Sequence, residues 1–153
     1  MKIRFSRVAV MAAALMSFGA MADSQNLTVN ATVSGICKLI TVPAMSFTLD
    51  PAVGTVQTAS STVQYRCTKG TNAGAFTVNG VSTGTSSITL NGTAPNTDTI
   101  GVSLSWTNPT AYAGVGFTAG TAKSVTITGT VAANTYDVTA DTYTKNVPVA
   151  ILP

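Results

Sequence analysis

Residues 100–106 have the sequence Ile-Gly-Val-Ser-Leu-Ser-Trp, in which every second side chain is apolar and those between are Gly or Ser. Because successive side chains of a strand point to opposite faces, this period of two predicts a half-buried β-strand. The same alternation predicts further strands near residues 27–33, 36–42, 45–49, 62–68, 75–79, 87–90, 123–131 and 142–152.

The segments between these predicted strands contain turn formers. Asn79-Gly80 and Asn91-Gly92 are typical hairpin-turn dipeptides, and Asp50-Pro51 stops the preceding alternation. No stretch has the pattern of a long amphipathic helix, and a composition with 27 Thr and no Glu favours strands over helices. Short strands separated by turn residues predict an all-β protein, most simply a β-sandwich.

The composition excludes several classes of enzyme. The chain has 153 residues, which suits one domain, and it contains neither His nor Glu. Histidine-ligated metal sites, Ser-His-Asp triads and Glu-based glycosidases are therefore excluded. The five Asp residues are scattered along the sequence, so that a paired-Asp hydrolase is formally possible but no pair can be nominated. We expect a protein that is not an enzyme and that holds no cofactor or metal.

The first 22 residues have the pattern of a cleaved signal peptide. Lys2, Arg4 and Arg7 precede a run of small and apolar residues that ends in Ala-Met-Ala at residues 20–22. The alternative is a membrane anchor, but the run is about 15 residues long and a span needs roughly 20. Cleavage after Ala22 leaves five basic residues against five Asp, a net charge of zero. A basic patch for nucleic acid or anionic lipid is thus not expected.

Two cysteines, Cys37 and Cys67, remain in the exported chain. An even number of cysteines in an oxidising compartment predicts one disulfide, and the alternative is a pair of free buried thiols.

The aromatic residues divide into two groups. Trp106, Tyr65 and Tyr143 fall on the apolar faces of predicted strands, which favours the core over a sugar-binding face. Tyr112 and Tyr136 fall in predicted loops, so that they are the better candidates for exposed contacts.

Three pieces of sequence stand out by their order and spacing: the alternating segment that ends at the first cysteine (Leu27–Cys37), the segment around the second cysteine (Val63–Gly70), and the ending Thr139–Pro153. Together they resemble the spore coat protein U domain family, whose members include the subunits of archaic chaperone–usher pili. The resemblance covers residues 23–153. The ending departs from the family pattern because Asp141 stands where the family usually has Gly, Pro148 interrupts the last strand, and a terminal Tyr is absent.

The resemblance implies an immunoglobulin-like sandwich that lacks its last strand and is completed by a donor strand from a partner. It divides the chain into a signal peptide at 1–22, a donor-strand extension at 23–35 and a pilin domain at 36–153. A periplasmic chaperone fills the open groove first, and at an outer-membrane usher the extension of the next subunit replaces it, giving a head-to-tail fibre on the cell surface. The implied donor residues are Leu27, Val29, Ala31 and Val33, and the implied acceptor residues are Tyr143, Val147, Val149 and Ile151.

The function expected from this resemblance is that of a structural pilus subunit that supports adhesion or biofilm formation. Its partners are a chaperone, an usher and neighbouring subunits, with no direct insertion into the membrane. The alternative is a secreted coat or carbohydrate-binding protein that uses the same sandwich, completes it with its own chain and remains monomeric.

Overall fold

The computed structural model describes residues 23–109, 113–118 and 122–153. The chain divides into two compact units, Met1–Thr32 and Val33–Pro153. The predicted signal peptide and Tyr112 lie outside the described residues. In the described part of the chain, no helix is long and apolar enough to cross a membrane.

Within the described residues of the first unit, 23–32, no strand is formed. Leu27 and Val29 are 88% and 80% exposed, and Val33, the first residue of the second unit, is 81% exposed. The pairing of residues 27–33 as a strand therefore stays a prediction.

The second unit is an antiparallel all-β structure, and its described residues contain no helix, as the alternation predicts. Five strands form one sheet in the order β1-β2-β6-β5-β4, and β3 pairs with β7 in a second sheet. The buried side chains of both sheets belong to one hydrophobic cluster, an arrangement consistent with a β-sandwich. The strands are β1 (Cys37–Thr41), β2 (Gln57–Cys67), β3 (Ala75–Val78), β4 (Thr85–Asn91), β5 (Thr99–Trp106), β6 (Lys123–Val131) and β7 (Val149–Leu152).

Alternation places the apolar side chains on the inner face of the large sheet. On β5 every second residue from Ile100 to Trp106 is buried, while Gly101, Ser103 and Ser105 are exposed. The central strands β2 and β6 follow the same pattern, with Thr and Ser on the outer face. Burial of a Val, Leu, Ile or Phe side chain contributes about 1.5–3 kcal/mol, so that these positions hold the two sheets together.

Two of the predicted strands differ in the structure. Residues 45–49 alternate in burial as predicted but form no ladder, so the strand prediction is wrong there. The last strand begins at Val149 rather than near Thr142. Pro148 explains part of this difference, because it has no backbone N–H to donate to a ladder.

Among the aromatic residues, Trp106 and Tyr65 are buried, as predicted, and Tyr143 is half-buried against the core. The prediction of an exposed Tyr136 is wrong, because only 2% of its surface is exposed. Its hydroxyl donates a hydrogen bond of 2.5 Å to the carbonyl oxygen of Thr55. This bond satisfies the phenol and allows the ring to be buried although the residue lies in a loop.

The predicted disulfide is confirmed. Cys37 and Cys67 are bonded, and they are direct partners in the ladder between β1 and β2. The ladder shifts register between Leu39 and Thr41, so that β1 is regularly paired only over its first residues. The disulfide therefore fixes an outer strand of the sheet close to where that strand begins.

We expect the double substitution Cys37→Ser and Cys67→Ser to lower the free energy of unfolding. The two cysteines are 30 residues apart, for which the loss of loop-closure entropy corresponds to about 3–4 kcal/mol. Urea denaturation of the oxidised chain and of the double variant measures this difference. A variant as stable as the oxidised chain, or two alkylatable thiols in the native protein, would contradict it.

Candidate functional site

A groove of about 1030 Å³ lies over the inner face of the large sheet. One wall is formed by residues 42–49, and the other by residues 138–149. The floor comes from four strands of the large sheet and is mostly apolar, and Val78 of β3 lines the groove from the second sheet. The floor consists of Ser61, Val63, Ile88, Leu90, Ile100, Val102, Leu104 and Ile127.

The first wall, residues 42–49, is held by its side chains. Met45, Phe47 and Leu49 are half-buried and pack against the core, while the residues between them are exposed. Ser61 Oγ donates a hydrogen bond of 2.7 Å to the carbonyl oxygen of Pro43. From residue 44 to residue 49, no backbone group is hydrogen-bonded to another described residue. The edge of this wall is thus open to a backbone partner.

Gly129 on β6 makes room for this wall. A Cβ atom built on Gly129 would lie 2.5 Å from Met45 Sδ and 2.7 Å from Phe47 Cζ. Both distances are too short for a real contact, so that a side chain at this position would require the ends of the Met45 and Phe47 side chains to shift. The packing of the wall therefore depends on Gly129.

The second wall, residues 138–149, is connected to the sheets at only a few backbone positions. Thr144 and Asn91 exchange two backbone hydrogen bonds of 2.9 and 3.1 Å, and the amide of Asn79 donates to the carbonyl oxygen of Pro148 at 2.8 Å. From residue 145 to residue 147, the backbone makes no hydrogen bond to another described residue. This wall also presents an open edge.

The turn at Asn79-Gly80, next to the hydrogen bond with Pro148, has the geometry that its sequence predicts. Asn79 and Gly80 both have positive φ, and Val78 and Val81 exchange backbone hydrogen bonds around them. This geometry is typical of the two-residue hairpin turn that Asn-Gly predicts. It positions the amide of Asn79 for the carbonyl oxygen of Pro148.

The acceptor residues implied by the resemblance are divided between the groove and the core. Tyr143, Val147 and Val149 line the groove and are half-buried. Ile151 lies farther along β7, pairs with Phe76 and is buried in the core, outside the groove lining. The opposite wall of Met45, Phe47 and Leu49 was not nominated from the sequence, although its alternation was visible there.

Loop 92–98, between β4 and β5, is joined to the second wall by two carboxylates. Asp141 on the wall accepts hydrogen bonds from the Thr93 amide at 2.7 Å and from Asn96 Nδ2 at 3.0 Å. Asp98 in the loop accepts from the amide and the hydroxyl of Thr139 at 2.9 and 2.6 Å. We call these five residues the carboxylate clasp.

The hydrogen bonds that Asp98 and Asp141 accept within the clasp favour the ionised form of both carboxyls. The pKa of Asp98 is lowered, mainly by the side-chain and backbone hydrogen bonds from Thr139. The pKa of Asp141 is lowered first by the Asn96 side chain and then by the backbone of Thr142. In the described part of the chain, no three Cys or Asp side chains gather as metal ligands would.

No family model matches the sequence, and no similar protein was found among curated proteins or solved structures.

The packing of the first wall predicts opposite effects at two glycines. Gly129→Val should lower the free energy of unfolding by about 1–3 kcal/mol, because it overpacks the contact with Met45 and Phe47. Gly101 on β5 faces outward with no atom within 4 Å of an added Cβ. Gly101→Val is therefore the matched control and should be neutral or stabilising. Urea unfolding of both variants checks this, and equal stabilities would contradict it.

The clasp predicts a loss of stability in acid. Because both folded-state pKa values are lowered, the stabilisation is fully present above the unfolded aspartate pKa of about 3.9 and is lost as the pH falls through the folded values. The double variant Asp98→Asn, Asp141→Asn should show a flatter fall in melting temperature between about pH 5 and about pH 2. Asp137→Asn, an exposed aspartate outside the clasp, serves as the control and should follow the unmodified chain. Parallel pH profiles for all three would contradict the prediction.

Proposed function

We propose that the protein is a structural subunit of a surface pilus, with a spore coat protein U type domain assembled by the chaperone–usher pathway. The observation that carries the proposal is the groove, whose floor is apolar and whose two walls both have unpaired backbone. The proposal includes export through the periplasm and assigns the protein no catalytic activity and no cofactor.

The groove has the properties of a site for an added strand. An incoming strand supplies amides and carbonyls to the open edges at residues 44–49 and 145–147. Its alternate side chains enter the groove and cover the apolar floor. In this reading the domain is an immunoglobulin-like sandwich without its last strand, and the missing strand lies between the two walls. An open edge beside apolar surface favours aggregation, which explains why a periplasmic chaperone has to cover it before assembly.

The proposed occupant is the segment of residues 23–33 from a second copy of the chain. Leu27, Val29 and Val33 are large apolar side chains at alternate positions, and each is at least 80% exposed. Burial of each in a groove contributes about 1.5–2 kcal/mol, and each backbone hydrogen bond adds about 1 kcal/mol. Ala31 fits where the groove is narrow. A slip of one residue would turn Thr28, Asn30 and Thr32 inward, so that the register is fixed.

A chain that has both a donor segment and a groove gives a head-to-tail contact. Such contacts are heterologous, and when the rotation does not close they produce a fibre rather than a ring. The Cys37–Cys67 disulfide is compatible with export through an oxidising compartment. An outer-membrane usher is the partner that exchanges the chaperone for the next subunit.

The proposal predicts that one apolar residue of the donor segment controls polymerisation. The mature chain, residues 23–153, should form head-to-tail polymers, whereas deletion of Ser24–Val33 should leave monomers. Val29→Asp should act like the deletion, because it places a charge in an apolar groove. Asn30→Asp introduces the same charge on the opposite face of the segment, so that this control should still polymerise. Analytical ultracentrifugation and electron microscopy measure the outcome.

Two results would contradict the proposal. Polymers of the deleted chain would show that residues 24–33 are not the donor. Monomers of every variant, including the unmodified chain, would favour the self-complemented coat or carbohydrate-binding protein. Val149→Asp, in the groove of the acceptor, provides the complementary test and should also prevent polymerisation.

A further inference from the structure

We propose that Asp141 is a positioning residue for strand capture, because the carboxylate clasp holds the second wall of the groove against the rigid pair β4–β5. The inference rests on the proposed function, since it concerns the same groove. It adds a residue of the second wall that sets how well a donor strand is bound.

The clasp is reciprocal, which makes it a connection between two segments rather than a local turn. Asp141 on the wall accepts a hydrogen bond from Thr93 of the loop, and Asp98 in the loop accepts one from Thr139 of the wall. Thr93 Oγ1 adds a bond of 3.2 Å to the carbonyl oxygen of Thr142. A shift of the wall along the loop therefore breaks bonds from both carboxylates at once.

Tyr143 connects the clasp to the groove. Its hydroxyl donates to the carbonyl oxygen of Thr139 at 2.7 Å and accepts from Asn96 Nδ2 at 3.0 Å. The same Nδ2 group donates to Asp141. Because Tyr143 also lines the groove, the hydrogen bonds that fix Asn96 also fix the position of a groove side chain.

The backbone of the wall depends on the clasp because it has few other hydrogen bonds to the sheets. Beyond Thr144 its next backbone connection is at Pro148, and the stretch between them is open. Loop 92–98, by contrast, joins two strands that are paired over seven residue positions. The clasp therefore holds residues 139–143 in place against the β4–β5 hairpin. A wall that is already in place loses less conformational entropy when a strand binds.

The core cluster includes side chains of the groove floor but none of the five clasp residues. Loss of one carboxylate should therefore weaken capture more than it weakens the fold. Among the described residues, the titratable groups beside Asp141 are Asp98 in the loop and Tyr143 on the wall, whose hydroxyl shares Asn96 Nδ2 with Asp141, and no described Lys or Arg contacts Asp141. Protonation of Asp141 in acid weakens its carboxylate as a hydrogen-bond acceptor, as the substitution Asp141→Asn does.

The test uses the full mature chain with Val29→Asp, which disables its own donor segment, and a fluorescent peptide of residues 23–34 as the probe. Fluorescence anisotropy should show about fivefold weaker binding when Asp141→Asn is added, in keeping with the loss of charge-assisted hydrogen bonds. Asn96→Ala, which breaks the clasp from the loop side, should act in the same direction. Asp137→Asn changes the charge equally outside the clasp and should leave binding unchanged.

Peptide binding measured over a range of pH distinguishes a positioning role of Asp141 from a general loss of folded structure. Binding to the acceptor with an intact clasp should fall towards the Asp141→Asn level as the pH falls through the lowered pKa of Asp141, while Asp141→Asn itself should respond less. Hydrogen exchange should be faster at the amides of Thr93, Thr139 and Thr142 in Asp141→Asn and unchanged in Asp137→Asn. Melting curves establish that each acceptor is folded.

The outcomes distinguish the two proposals. Equal peptide affinity for Asp141→Asn, Asn96→Ala and Asp137→Asn would overturn the role of the clasp and leave strand capture standing. Absence of peptide binding to every folded acceptor would overturn strand capture itself. In that case, unchanged hydrogen exchange at the amides of Thr93, Thr139 and Thr142 in Asp141→Asn would also contradict the proposal that the clasp supports the wall. Should Asp141→Asn fail to fold, Asn96→Ala decides between these outcomes.

Discussion

The structure depends on how the apolar inner face of a five-stranded sheet is covered. That face carries large apolar side chains along β2, β5 and β6, and the second sheet opposite contributes only the short strands β3 and β7. Apolar area left in water is unfavourable by about 25 cal/mol per Å², so that other segments have to complete the cover. Residues 42–49 and 138–149 do so from the two sides and leave the groove between them.

Both walls are held in place by side chains and by a few individual hydrogen bonds, whereas the sheets are held by continuous ladders. Met45 and Phe47 lie over Gly129, and Asp98 and Asp141 join the opposite wall to the loop between β4 and β5. The walls can therefore keep open edges without loss of the fold, since the disulfide, the ladders and the core stabilise the rest. The groove has backbone groups on both walls that a partner could pair with, and the proposed function and the proposed role of the clasp both concern it.

Several features could be predicted from the sequence because a local pattern or a residue count decides them. The alternation in residues 100–106 gives β5 and its inward face, Asn79-Gly80 gives a hairpin turn, and the presence of two cysteines gives the disulfide. Others could not be predicted because they depend on distant partners. Tyr136 lies in a loop and is buried because the Thr55 carbonyl accepts its hydroxyl, and Asp98 meets Thr139 across 41 residues.

Local periodicity and the cysteine count predict the all-β class, the inward faces of β2, β3, β5, β6 and β7, and the disulfide pair. Which of the alternating segments pair with one another depends on the tertiary structure. Residues 45–49 have the alternation of a strand yet remain without a ladder, and β7 begins only after Pro148. The physical reason is that side-chain alternation is a property of one segment, whereas a hydrogen-bonded ladder requires a second segment at about 4.8 Å, and only the folded chain determines whether one is there.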